Sequence, residues 1–434
     1  MNAWYLICFL SALAILIAFA NQYVLKLQTT IAITSGAVLI SLLIIVAVKL
    51  LGTDTATTIS HIVGSLDFNQ LLLKGVLGFL LFAGALEIDL RALRNQRWEI
   101  TVLVLFSTVF STFMIGYLSY WLLGWVGWPV PFVYCLLFGA LISPTDPIAV
   151  LAIIKQMNAP KGVSIQVEGE SLFNDGMGLV IFTTIYAVAF SGVEPSFESV
   201  TKLFVFDAVG GISFGFVLAL IGHFLAINSK DGNIRLLVTL MFPTAGFALA
   251  NILEISGALA MVTCGIIMGN ITRSVASKRT GISATRYVKN FWHAMDNYLN
   301  ALLFLLIGLL LVTIPLSTAE ILLGVMMVPV VLAARFISVS IPYLGFRRFR
   351  QYDAYSVCIL TWGGLRGGLA LAMAASVPAG VVTINGTDLH GLMIIITYMV
   401  VIFSIIVQGG TISPLINKSM KQAGQLAAPG TRTD

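Results

Sequence analysis

Long apolar runs such as "AWYLICFLSALAILIAF" and "ITSGAVLISLLIIVAVKL" recur along this chain, separated by short polar stretches. A bilayer crossing needs roughly 20 mostly apolar residues, and many segments here qualify. Charge is correspondingly scarce. Only 10% of the 434 residues are charged, against about 25% in soluble domains. The expectation is an all-α polytopic membrane protein with no sizeable soluble domain. The first run lacks a basic leader and a small-residue cleavage site, so it reads as a retained span.

About thirteen spans are expected, over 4–20, 31–51, 70–90, 100–125, 131–155, 163–190, 203–227, 234–252, 256–271, 291–314, 320–345, 353–377 and 389–414. Basic residues mark cytoplasmic loops. They follow the odd-numbered spans, as with Arg91, Arg94 and Arg97, Lys155 and Lys161, or Arg347, Arg348 and Arg350. The alternate loops carry acids, including Glu198, Glu254, Glu320 and Asp388, with Lys202 the main exception. This alternation predicts an N-terminus outside and a short cytoplasmic C-terminal tail. The net charge of +5 follows topology and implies no nucleic-acid partner. Cys8, Cys135, Cys264 and Cys358 form no C-x-x-C pair and read as small apolar filler, not disulfides or zinc ligands.

Two expected spans carry helix breakers at their centres. The fifth contains "LISPTDPIAV", with Pro144 and Pro147 around Thr145 and Asp146. The twelfth contains "TWGGLRGGLALA", with four glycines around Leu365 and Arg366. Proline removes a helix hydrogen bond and glycine permits unwinding. Such backbone is tolerated at membrane depth only where protein or a watery cavity satisfies it. The two breaks lie seven spans apart. Six spans, a linker span and six more would place them at matching positions of two inverted six-helix repeats, with the discontinuous helices crossing at mid-membrane. Interrupted segments so placed point to a transport site.

The sixth span holds "VEGESLFNDGMGLVIF". A charge at bilayer depth costs roughly 2.5–3.5 kcal/mol, and nothing structural requires Asp175 there. Burial favours a neutral carboxyl group, whereas a nearby cation favours the ionised form, so cation and proton can compete for it. Ser171 shares a helix face with Asp175 and offers a hydroxyl oxygen. Asn174 can orient the site or supply an oxygen without adding charge. At the fifth-span break, Asp146 can balance helix-dipole ends and Thr145 can offer its hydroxyl or carbonyl. An alkali cation is thus expected at Asp175, Ser171, Asp146 and Thr145. Arg366 needs an anionic partner at depth, and Glu170 is the candidate for a structural ion pair in the core. Glu168 reads as entrance-lining or interfacial. Glu87 and Asp89 end the third span beside Arg91, where interfacial pairing is the simpler reading. His61, His223, His293 and His390 fall in loops or near span ends. No H-E-x-x-H, G-x-S-x-G or P-loop pattern is present, so neither catalytic residues nor enzyme activity are expected, and no cofactor.

The motifs "SPTDPIAV", "GESLFNDG" and "GGLRGGLALA", in this order, together with "FWHAMDNYLNALLFLLIGL", resemble those of the NhaP-type sodium/proton antiporters, the monovalent cation:proton antiporter family that includes the animal sodium–proton exchangers. The likeness runs roughly from Leu71 to Ile416. It implies that Asp175 carries the exchanged ion, that Asn174, Ser171, Thr145 and Asp146 surround it, and that Arg366 pairs with Glu170. The Asn–Asp order implies electroneutral exchange. The family pattern implies a homodimer in membrane lipid. Its moving core would be helices 4–6 (99–192) and 11–13 (317–417). Helices 1–3 (1–98) and 8–10 (230–316) would form the dimer platform, with linker helix 7 at 193–229 and a short tail at 418–434. Some members have an acid in the third span where this chain has "LFAGALE", with Ala83 and then Glu87. The chain lacks the large tail of animal exchangers, which points to a prokaryotic-type protein.

The resulting expectation is a secondary antiporter in the cell membrane, serving pH homeostasis. It would exchange Na+, with Li+ and K+ open, for H+ by alternating access. The alternative is a sodium-coupled carrier of an organic anion on a similar fold.

Overall fold

The computed structural model describes residues 3–51, 69–157, 161–192, 196–229, 231–275, 282–314, 317–346 and 355–427. Among them, eleven helices are long and apolar enough to cross a membrane. These are α1 (Tyr5–Tyr23), α2 (Thr29–Val48), α3 (Gln70–Glu87), α4 (Arg97–Trp125), α7 (Ser164–Phe190), α8 (Phe197–Asn228), α9 (Gly232–Ile252), α10 (Gly257–Val275), α11 (Arg286–Val312), α12 (Thr318–Phe346) and α15 (Leu389–Met420). The expected fifth and twelfth spans are each a pair of short helices. The first pair is α5 (Phe132–Ile142) and α6 (Ile148–Gln156), and the second is α13 (Ser356–Trp362) and α14 (Gly368–Ala375). The expected thirteen therefore counts each pair as one crossing. His61 and the arginines at 347, 348 and 350 lie outside the described residues.

One hairpin interrupts the helical pattern. Strands β1 (Thr383–Ile384) and β2 (Thr387–Asp388) flank Asn385–Gly386, both at positive φ, as a tight hairpin turn requires. The Asn385 side chain donates to the Gly127 carbonyl at 2.8 Å, tying the hairpin to the α4–α5 connection.

Large apolar side chains face outward as well as inward. Phe9, Phe113, Trp121, Phe206 and Phe224 are exposed, the expected pattern where the surrounding solvent is lipid. The interior instead gains contact from small residues and from paired polar groups. A methyl group at Gly139 would collide with the Thr112 carbonyl, so the α4 and α5 backbones touch there. Close backbone approach through small residues is how helices associate without a hydrophobic driving force. Buried polar groups find partners between helices. Trp292 Nε1 donates to Thr239 Oγ1 at 2.8 Å, and the Tyr343 hydroxyl donates to Gln166 Oε1 at 2.6 Å. Asn270 on α10 binds both sides of the turn after α3, donating to the Ile88 carbonyl and accepting from Leu90 N. Cys135 and Cys264 are buried and Cys8 and Cys358 exposed, all as free thiols.

The two broken pairs meet. Asp146 N donates to the Leu365 carbonyl at 2.7 Å in an antiparallel bridge. Opposite chain directions at this crossing are what two inverted halves require.

Candidate functional site

The crossing leaves helix ends pointing at one another, and the two ends at the first break each meet a charge of opposite sign. Helix α5 ends at Ile142, where its last carbonyls have no partners within the helix. Arg366 Nη1 donates to the carbonyls of Ser143 at 2.5 Å and Pro144 at 3.0 Å. Its own backbone N–H donates to Ser404 Oγ at 2.9 Å. On the other side of the break, Asp146 Oδ1 accepts from Ile148 N at 2.9 Å, placing a carboxylate on the positive start of α6. A methyl group at Gly367 would overlap the Asp146 carboxylate, so only glycine allows the two breaks to approach this closely.

Helix α7 packs beside the break and holds Thr145 by three of its polar groups. Asn174 Nδ2 donates to Thr145 Oγ1 at 2.8 Å, and Asn174 Oδ1 accepts from Thr145 N at 3.3 Å. Ser171 Oγ donates to the Thr145 carbonyl. Asn174 is thus a positioning residue whose oxygen is already engaged. Ser171 donates its hydroxyl proton and keeps lone pairs for a cation. Thr145, Ser171 and Asn174 are buried, whereas Asp146 and Asp175 are half-buried and line a cavity of about 580 Å³.

The ion pair expected between Glu170 and Arg366 does not form. Glu170 Oε1 lies 2.6 Å from Arg335 Nη1, with both side chains almost fully buried. Arg335 Nη2 also donates to the Leu360 carbonyl at 3.4 Å. The reason is geometric: the free carbonyls at the end of α5 take the Arg366 guanidinium, while α12 brings a second guanidinium to Glu170. Arg335 was absent from the expected site. Its signal was available, since it stands alone among charges in the centre of "VPVVLAARFISVSIPYL".

The cavity reaches the crossing from one end of the bundle. Its lining includes Gln28 before α2, Glu87 at the end of α3, Lys155 near the end of α6, Glu168 near the start of α7 and His293 near the start of α11. Successive crossings alternate in direction, so these positions share one end, and Glu168 lines the mouth. Glu87 Oε1 lies 3.1 Å from His293 Nδ1 rather than pairing with Arg91, and Asp89 accepts from the N–H groups of Arg91 and Ala92 as a helix cap. Ala83 is buried in the α3 core, away from any ligand role. Asp296, also on the cavity wall, is an acid that sequence reasoning passed over. His223 and His390 bond to Thr272 Oγ1 and the Val377 carbonyl, outside the cavity lining.

Residues 33–418 match the profile of the family described as "Sodium/hydrogen exchanger, transmembrane". The chain is 39% identical over 412 residues to the Na(+)/H(+) antiporter NhaP of Pseudomonas aeruginosa, covering 94% of this chain and 95% of that one. It is 31% identical over 366 residues to the Na(+)/H(+) antiporter NhaH of Halobacillus dabanensis, covering 82% and 85%. In fold it is similar to the solved sodium proton antiporter MjNhaP1 from Methanocaldococcus jannaschii, with a TM-score of 0.73 at 21% identity, over 94% of this chain and all of that one. A profile matched over most of the chain, and a relative similar along nearly its whole length, make this protein a member of the sodium/hydrogen exchanger family.

Proposed function

We propose that this integral membrane protein is a secondary antiporter exchanging Na+ for H+, one for one, with cation and proton competing for Asp175. The observation that carries the reading is the placement of Asp175 and Asp146 on a cavity wall at the crossing of two broken helices. There a cation meets the carboxylate oxygens of Asp146 and Asp175, with Ser171 and Thr145 packed directly behind the break. A proton on Asp175 removes the charge that attracts the cation, so each ion expels the other. Alternating access requires the crossing to move against a static frame. The regions 99–192 and 317–417 would form that moving core, and 1–98 and 230–316 the platform of a homodimer. The cavity mouth lies on the side of the basic loops, which the positive-inside rule assigns to the cytoplasm. The N-terminus is then outside and the C-terminus cytoplasmic, in the cell membrane.

The cavity also disfavours transport of an organic anion. Its acids are Glu87, Asp146, Glu168, Asp175 and Asp296, against Lys155 and His293 as its basic groups. Such a wall repels anions and concentrates cations.

The test uses purified protein in proteoliposomes with a trapped pH dye. Addition of Na+ is expected to drive proton movement at a rate unaffected by clamping the membrane potential, because one-for-one exchange moves no net charge. Li+ and K+ in parallel define selectivity. A rate that follows the clamped potential would sink the electroneutral stoichiometry, and no response to any of the three cations would sink the antiport reading.

A further inference from the structure

Helix α11 carries polar groups down the cavity wall that the exchange site does not use. His293, Asp296 and Asn300 lie three and four residues apart, so they share one face of the helix, and all three line the cavity. His293 is at the mouth beside Glu87. Asp296 lies one turn deeper along the same cavity wall. Asp296 caps no helix end, and it forms no ion pair with Lys or Arg among the described residues.

Asn300 makes the second observation. It is 2% exposed, and its amide oxygen has no hydrogen-bond partner among the described residues. Its amide nitrogen is directed at the Asp296 carboxylate one turn earlier. Buried amide groups are ordinarily satisfied, and leaving one unmet is costly. A hard monovalent cation with part of its water shell meets both needs. The carboxylate and the amide oxygen act as ligands.

We infer that Asp296 and Asn300 form a second, transient binding station for a monovalent cation, between the cavity mouth and Asp175. This rests on the exchange reading above. A cation held there is close enough to the crossing to be passed to Asp175 when its proton leaves. The station lies on the open side of the site alone, so it acts on cations arriving from that face and leaves arrival from the opposite face unchanged.

The test measures antiport in right-side-out and inside-out vesicles, with Na+ offered from each face in turn. Asp296→Asn is expected to raise the half-saturating Na+ concentration about five-fold from one face, with the maximal rate and the opposite face unchanged. Asp296→Glu, which restores the charge, is expected to recover the wild-type value. If Asp296→Asn fails to reach the membrane, Asp296→Ser takes its place. An unchanged half-saturation on both faces, or an equal rise on both, overturns the station. So does a difference that vanishes in about 1 M choline chloride, where screening within about 3 Å removes a long-range field but spares direct ligation. Wild-type protein that exchanges no cation for protons would overturn the exchange reading itself, and the station with it.

Discussion

Glu170 and Arg335 form a 2.6 Å ion pair inside the helix bundle, and both side chains are nearly inaccessible. Removing one partner from such a pair leaves an uncompensated charge, at a cost of about 3–5 kcal/mol. Arg335→Met is therefore expected to lower the melting temperature in detergent sharply. Glu170→Gln combined with Arg335→Met is expected to recover most of that loss, because the pair as a whole gains little over apolar packing. Melting of the two single variants and the double variant checks this. Equal melting temperatures for Arg335→Met and wild type would show that the pair carries no such weight.

Arg366 acts on backbone rather than on Glu170. Arg366→Ala leaves the Ser143 and Pro144 carbonyls without their donor, at about 1–3 kcal/mol for each buried acceptor. The expected result is lower stability together with loss of exchange, since those carbonyls fix the break that carries Thr145 and Asp146. A double-mutant cycle distinguishes the two arginines: its coupling energy is expected to be larger for Glu170 with Arg335 than for Glu170 with Arg366.

Asp175→Asn is expected to abolish exchange while preserving the fold, because an amide fills the same space on the cavity wall and cannot hold a proton for exchange. Size-exclusion behaviour and melting report the fold, and the pH-dye assay reports exchange. Competition at this carboxylate also sets a pH dependence in the wild type. As pH falls, protons occupy Asp175 and the half-saturating Na+ concentration rises, while the maximal rate at saturating Na+ stays constant. The rise approaches about ten-fold per pH unit once the protonated form dominates, the limit for simple competition. A maximal rate that drops with no change in half-saturation contradicts a shared site.

Gly367→Ala tests the crossing itself. The added methyl group would overlap the Asp146 carboxylate, and both backbones are held by the Asp146–Leu365 bridge. The expected outcome is at least about a ten-fold loss of exchange, since small misplacements of reacting groups carry penalties of this order. Gly391→Ala, where open space surrounds the position, is expected to exchange normally. Rates for the two variants at matched expression provide the check.

Most of the helical layout was legible because its signals are local. A span announces itself by apolar length, and a break announces itself by proline or glycine at mid-span. The Asn174–Asp175 pair and the Thr145–Asp146 pair were legible for the same reason, as polar residues where apolar ones belong. Pairing was less accessible. Arg366 and Glu170 looked like natural partners because each lacked a counter-charge, but the competing acceptors were backbone carbonyls, which no residue type reveals. Arg335 sits singly in an otherwise apolar helix and Asp296 among the polar residues that open α11, and only tertiary packing gave them their neighbours. Glu87 likewise turned from Arg91, close in sequence, to His293, far away in sequence but adjacent in space.

Sequence alone determined that this chain lives in a membrane, that two of its crossings are broken, and that Asp146 and Asp175 fall inside apolar spans. Those properties follow from the cost of polar groups in lipid, which each segment bears wherever it packs. Tertiary structure alone decided which charges neutralise helix ends, which form pairs, and which remain on the cavity wall for an ion. That choice depends on distances between helices remote in sequence, and a few ångströms there decide whether a guanidinium meets a carboxylate or a free carbonyl.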